Sequence, residues 1–189
     1  KSDADLGVAR GGDAGRSGAV TADGDFLSGD GLLAIFGRAA AGAGGTVAVP
    51  VDTGLAVADH LAEGDGGVTR TPVGDGHVAA AASETDVVFG GEPSGAWIWP
   101  DRARCPDGPL AACKLVALAS ERSLAARTRA VETHPIRRDS VRTADKRGVM
   151  DRVGERVTDE YPDVSTLDGV RVDLDGAWFL LRASGAGTG

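Results

Sequence analysis

Lysine is scarce in this chain: only three of its 20 basic residues are lysine, and the rest are arginine. Cysteine is scarcer still. Cys105 and Cys113 are too few for a disulfide framework, and their spacing fits no common zinc pattern. Aromatic residues make up 4% of the 189 positions, and methionine occurs once. Long apolar runs are missing, since none approaches the roughly 18 residues that a membrane-spanning helix requires. The opening Lys1-Ser2-Asp3-Ala4-Asp5 is polar and acidic, unlike a secretory leader. Excess positive charge is missing too. The formal net charge is −8, the opposite of a nucleic-acid footprint. No nucleic-acid or membrane partner is therefore expected, and the cytoplasm is the expected compartment.

What is present is a thin apolar set. Val, Leu, Ile and Phe together reach about 22% of the chain, just above the roughly 20% below which chains stay disordered. Alanine and 29 glycines fill the difference, so the core is expected to be built of small side chains and to be marginally stable. Aspartate outnumbers glutamate 21 to 7. Such dense carboxylates suit a salt-adapted source, and codon bias alone gives the same pattern.

The patterning begins with a short run, Asp5 to Ala9, a loop Gly11-Gly12-Asp13-Ala14-Gly15-Arg16, and a second run, Ser17 to Val20. This predicts strand, loop, strand. Ser28-Gly29-Asp30 can cap a helix carrying Leu32, Leu33, Ile35 and Phe36, closed by Gly42, Gly44 and Gly45. Thr46 to Val51 predicts a strand, with Pro50 tolerable near an edge or an end. A helix led by Asp52-Thr53, a strand over 68–73, an Ala-rich helix from His77 and a strand over 86–89 follow. This alternation signals an α/β layer fold, whose ligands collect beyond the carboxyl ends of the strands. Asp107-Gly108-Pro109 starts a further helix to about Ser120, and Ser123 to Val131 a shorter one. Arg137 to Arg142 reads as extended chain. A helix with Val149, Met150, Val153 and Val157 ends before Pro162, and Val170 to Leu174 and Trp178 to Leu181 pair across the turn Asp175-Gly176. A smaller α+β unit is thus expected from about residue 132 onward.

Four polar, glycine-bearing loops stand at strand ends: Gly11 to Arg16, Thr71 to Asp75, Gly90 to Gly95, and Arg182 to Gly185. Singly, each is an ordinary turn. Their order is more telling. Phe89-Gly90-Gly91-Glu92-Pro93-Ser94-Gly95 and Arg70-Thr71-Pro72-Val73-Gly74-Asp75, then Leu167-Asp168-Gly169-Val170-Arg171-Val172 with Arg182-Ala183-Ser184-Gly185 ten residues later, resemble the alpha-D-phosphohexomutase family. Over nearly the whole chain the likeness is to that family's C-terminal portion.

The resemblance implies a three-layer α/β/α domain followed by a small, truncated α+β domain. In those terms, residues 1–29 are the end of the second domain with its metal loop, 30–120 the third domain, and 121–189 the fourth. It implies an isomerase that moves a phosphoryl group between the 1- and 6-positions of a hexose phosphate, through a phosphoserine held near Mg²⁺. The sequence looks most like archaeal members acting on glucosamine or pentose phosphates. The implied sugar contacts are Thr71, Gly74, Asp75, Glu92, Ser94 and Gly95. The implied phosphate nest is Arg182, Ser184 and the Gly185 amide, and Arg16 would face the serine phosphate.

Three departures from the family pattern are plain. Where the family has three alternating carboxylates, only Asp13 remains as a metal ligand, so Mg²⁺ binding is expected to be weak. No serine loop of the S-H-N-P type occurs, so the implied catalyst needs a separate chain carrying the N-terminal domains, and the alternative is a non-catalytic phosphosugar-binding remnant. After Gly185 the chain reads Ala186-Gly187-Thr188-Gly189 instead of the family's continuation. Ala96 stands where many relatives have His. Trp97 and Trp99 alternate with smaller neighbours and are expected in a core rather than stacked on sugar. His77 and His134 have no partner at metal spacing. Arg137 and Arg138 read as a solvated pair that could add to the positive field near a phosphate.

Overall fold

The computed structural model describes residues 3–184. Strands β1 (Leu6–Arg10) and β2 (Ser17–Thr21) form an antiparallel ribbon, with Leu6 opposite Thr21 and Arg10 opposite Ser17. The connecting loop closes on a hydrogen bond from Gly11 N–H to the Arg16 carbonyl, 2.9 Å. Helix α1 (Gly29–Ala41) starts where its sequence says it should, because Ser28 Oγ accepts from Gly31 N–H at 3.1 Å and satisfies one of the free donors of the first turn. Leu32, Leu33, Ile35 and Phe36 are buried, and Gly42, at φ 56°, ends the helix.

A four-stranded sheet follows, ordered β4 (Gly67–Thr71), β3 (Thr46–Pro50), β5 (Val87–Gly91), β6 (Trp97–Ile98). The first three run parallel, joined by α2 (Leu55–Ala62) and α3 (Asp75–Ala81), and β6 is antiparallel to β5. Strand period decides the layers. Val47 and Val49 join Leu33, Phe36, Leu61 and Phe89 in one core, while Ala48 joins Val78, Ala82 and Ile98 in another on the opposite face. Between Val87 and Phe89 the register against β3 slips by one residue. The extra residue, Val88, reverses the alternation, so Val87 serves the second core and Phe89 the first. Pro50 sits in the central strand, not at an edge, and is accommodated as its last residue.

Trp97 and Trp99 are core residues, as expected. Both rings pack on Phe36, at centroid separations of 5.4 and 5.2 Å. Helix α4 (Gly108–Glu121) is capped by Asp107, whose Oδ1 accepts from Leu110 N–H at 2.8 Å, and α5 (Leu124–Thr128) by Ser123. His134 pairs with Asp59 of α2 at 3.0 Å. This compact unit ends at Pro135, and a second begins at Ile136.

In the second unit, α6 (Lys146–Glu160) is capped by Asp145 and packs Met150, Val153 and Val157 against Val170, Val172 and Phe179. The sheet is ordered β7 (Val164–Ser165), β8 (Val170–Leu174), β9 (Ala177–Leu181). Arg171 is buried, forks onto Asp173 and lies 4.2 Å from the Trp178 ring centroid. Residues 137–142, ahead of α6, form no strand, so Arg137 to Arg142 is irregular, exposed chain. The expected architecture holds: a three-layer α/β/α domain and a small α+β unit.

Candidate functional site

The parallel strands β3, β4 and β5 deliver their carboxyl ends to one edge of the sheet, the edge where such folds gather ligands. Thr71 ends β4, Gly74-Asp75 opens α3, and Glu92 to Gly95 follows β5. Glu92 is 5% exposed. A carboxylate can be buried only if its oxygens find donors, and these do. Gly74 N–H donates to Oε1 at 2.7 Å and the Ser94 hydroxyl to Oε2 at 2.9 Å. Burial, together with a hydrogen bond and like charge from Asp75, pushes the Glu92 carboxyl above its ordinary value, and the Ser94 and Gly74 donors only partly offset this.

The loop around Glu92 is a tight hairpin. Glu92 N–H bonds the Ala96 carbonyl and Gly95 N–H the Glu92 carbonyl, both at 2.9 Å. Gly95 has φ 101°, and a Cβ there would approach the Ser17 carbonyl oxygen to 2.8 Å, so glycine is required twice over. At Gly29 a Cβ would collide with the Pro93 carbonyl, which is how the first turn of α1 comes to rest on the same loop.

The three loops named from sequence in this unit come together, the Gly74 bond to Glu92 joining two of them. Ser17 N–H bonds the Gly95 carbonyl at 3.0 Å, the Trp97 indole N–H bonds the Ser17 carbonyl at 3.2 Å, and Arg16 bridges to Ala96. Arg16, Ser94 and Gly95 share an open cleft of about 340 Å³ with Arg10 and Phe26. A larger hollow of about 630 Å³ lies by Glu84, Trp99 and Lys114, among none of these loops. Thr71 is buried, and its hydroxyl donates to the Pro72 carbonyl at 2.8 Å. Asp52 and Thr53, which the sequence suggests only as a helix start, also stand at this edge. Asp52 Oδ1 and Thr53 Oγ1 are buried without a hydrogen-bond partner among the described residues.

Asp13 is different. It is exposed, and its Oδ1 accepts from Gly15 N–H at 3.2 Å within its own loop. Among the described residues no three carboxylates, histidines or cysteines converge as metal ligands. Mg²⁺ asks for several hard oxygens in near-octahedral array, and this donor set does not fit a three-carboxylate clamp. Arg182 and Ser184 belong to the second unit. Arg182 Nη1 lies 3.3 Å from Asp168 Oδ2, and Lys146 Nζ donates to the Ser184 carbonyl at 3.4 Å. Gly185 lies outside the described residues.

Fold and site together define an α/β domain with a polar, carboxylate-bearing loop cluster at the carboxyl edge of a parallel sheet. Residues 28–134 match the domain described as phosphoglucomutase/phosphomannomutase, alpha/beta/alpha domain III. The chain therefore belongs to the alpha-D-phosphohexomutase family, of which it represents the C-terminal portion. It is 45% identical to a "Probable phosphoglucosamine mutase" of Methanopyrus kandleri and 41% identical to one of Methanosarcina barkeri. Those matches cover 97% and 96% of this chain and 42% of each relative. The chain thus spans about two fifths of the length of the curated relatives it matches. Its fold follows a Burkholderia thailandensis protein of the phosphoglucomutase/phosphomannomutase family, with a TM-score of 0.82 at 24% identity over 99% of this chain and 41% of the other. It also follows parafusin, a phosphoglucomutase of Paramecium, with a TM-score of 0.67 at 19% identity over 97% and 38%.

Proposed function

We propose that this chain is the part of a hexose-phosphate mutase that grips the sugar and its non-reacting phosphate, with glucosamine phosphate as substrate. The observation that carries this reading is Glu92, a buried carboxylate held at the carboxyl edge of the sheet by Gly74 N–H and the Ser94 hydroxyl. An ionised carboxylate has about four acceptor sites, so two donors leave capacity for vicinal sugar hydroxyls, and Ser94 can both donate and accept. Thr71, Asp75 and Gly95 complete the sugar wall. Arg16 neutralises the transferable phosphate, and Arg182, Ser184 and the Gly185 amide hold the other. Phosphoryl transfer depends mainly on positioning and charge neutralisation, and these residues supply both.

In this reading, residues 1–29 close the family's second domain, 30–120 form its third and 121–189 its fourth. The serine that carries the phosphoryl group comes from the part of the family's length outside these residues, and the cytoplasm is the compartment proposed. Calorimetric titration with glucosamine 6-phosphate is expected to show binding in the millimolar range. Turnover is expected only once a serine-bearing N-terminal portion is added. Turnover by these residues alone would overturn the need for that N-terminal portion, and absence of binding would overturn the gripping role.

A second reading, a non-catalytic phosphosugar-binding remnant, is favoured by Asp13, whose carboxylate is engaged by its own loop rather than by a shared metal site. The double substitution Gly11→Asp/Gly15→Asp restores alternating carboxylates. If Mg²⁺ affinity rises but a completed enzyme stays inactive, the remnant reading stands.

A further inference from the structure

The second unit opens on a stretch that neither the sugar site nor the phosphate loop uses: Arg137-Arg138-Asp139-Ser140-Val141-Arg142. It belongs to no helix or strand, and every one of these residues is exposed. Val141 is 91% exposed, the barest large apolar side chain among the described residues. Ser140 N–H is bonded to Asp139 Oδ1 at 2.7 Å, a contact that leaves the hydroxyl uninvolved.

Three features coincide here. Guanidinium groups stand two and three residues before a serine, an apolar side chain stands one residue after it, and the backbone is free of secondary-structure hydrogen bonds. No other Ser or Thr in the chain has arginine at both preceding positions. A protein kinase must lay its substrate in extended form across an open cleft, so a serine in a helix or strand would have to unfold first. Guanidinium groups are read by carboxylates through paired, directional hydrogen bonds, which a single lysine charge does not reproduce. An exposed valine beside the hydroxyl offers the matching apolar anchor. Ser123 and Ser28, by contrast, use their hydroxyls as helix caps.

We propose that Ser140 is a phosphorylation site for an arginine-directed serine/threonine protein kinase. In the step, Ser140 Oγ attacks the γ-phosphorus of ATP. The new O–P bond forms as the bond to the β–γ bridging oxygen breaks, ADP leaves, and the hydroxyl proton passes to a carboxylate of the kinase. The product places close to two negative charges among Arg137, Arg138 and Arg142. Those pairs order the stretch that precedes α6 in the second unit, which makes that stretch a point of control. The inference stands independently of the mutase reading.

The test is incubation of the folded chain with the catalytic subunit of an arginine-directed kinase and ATP, read by intact mass and by fragmentation. A gain of about 80 Da, one phosphate, is expected on Ser140. Ser140→Ala should abolish it. Arg137→Gln/Arg138→Gln should slow incorporation by about tenfold or more, as expected for the loss of charge-assisted pairs. Incorporation that survives Ser140→Ala, no incorporation at all, or incorporation only after the chain is denatured would overturn the proposal.

Discussion

Two loops meet where β2 touches the turn after β5, and they keep their carboxylates in opposite ways. Glu92 is buried, held by two donors from different segments, and pushed toward its protonated form. Asp13 is exposed and bonded only within its own loop. The difference shows what a buried carboxylate demands. Glu92 exists in its place only because Gly74, Ser94 and Asp75 are arranged around it, so its loss disturbs three residues at once. Asp13 constrains nothing beyond Gly15, so its loss disturbs nothing else.

The largest expected effect comes from Glu92→Leu, which keeps the volume but leaves Gly74 N–H and the Ser94 hydroxyl without an acceptor. Phosphosugar binding should weaken by about a hundredfold or more, measured by calorimetry. Ser94→Ala removes one hydroxyl and should weaken binding by about tenfold while moving the melting temperature little. An equal loss in both variants would mean that the loop simply collapsed, and the comparison would fail.

A subtler effect is one of pH. Because the folded state raises the Glu92 carboxyl above its ordinary value of 4.5, it holds that proton more tightly than the unfolded chain does. The stability this contributes is complete below the ordinary value and is lost as pH rises through the raised one. Glu92→Gln is always neutral and can still accept from Gly74. Its melting temperature should therefore gain on the parent chain as pH rises from 4 toward neutrality. A gap that does not change with pH would contradict the burial argument. The smallest effect is expected from Asp13→Asn: phosphosugar affinity within about twofold, with or without Mg²⁺, and stability within about 0.5 kcal/mol.

Much of this was legible from residue order. The caps Ser28, Asp107 and Ser123 mark their helices because a side-chain oxygen must meet the first free amides. The β-α-β alternation gives the parallel sheet, and the glycine-bearing loops at strand ends give the cleft around Ser94. The two-residue strands β6 and β7 escape sequence reading because so short a piece has no period to detect. Helix α3 begins at Asp75, two residues before the position expected from His77, because the turn at Gly74 is set by its bond to Glu92 and not by local propensity. The inversion at Val88 is equally invisible, since a bulge exists only relative to the neighbouring strand. The Asp52 and Thr53 atoms that lack a hydrogen-bond partner among the described residues become notable only once β3 is known to be central.

The most direct test of the central claim, that Glu92 anchors a phosphosugar site in this chain, is a Mg²⁺-free calorimetric titration with glucosamine 6-phosphate. The parent chain, Glu92→Leu and Asp13→Asn are titrated side by side. Saturable binding by the parent and by Asp13→Asn, with none by Glu92→Leu, is the expected result. Binding that Glu92→Leu leaves intact, or no binding by the parent chain, would contradict it.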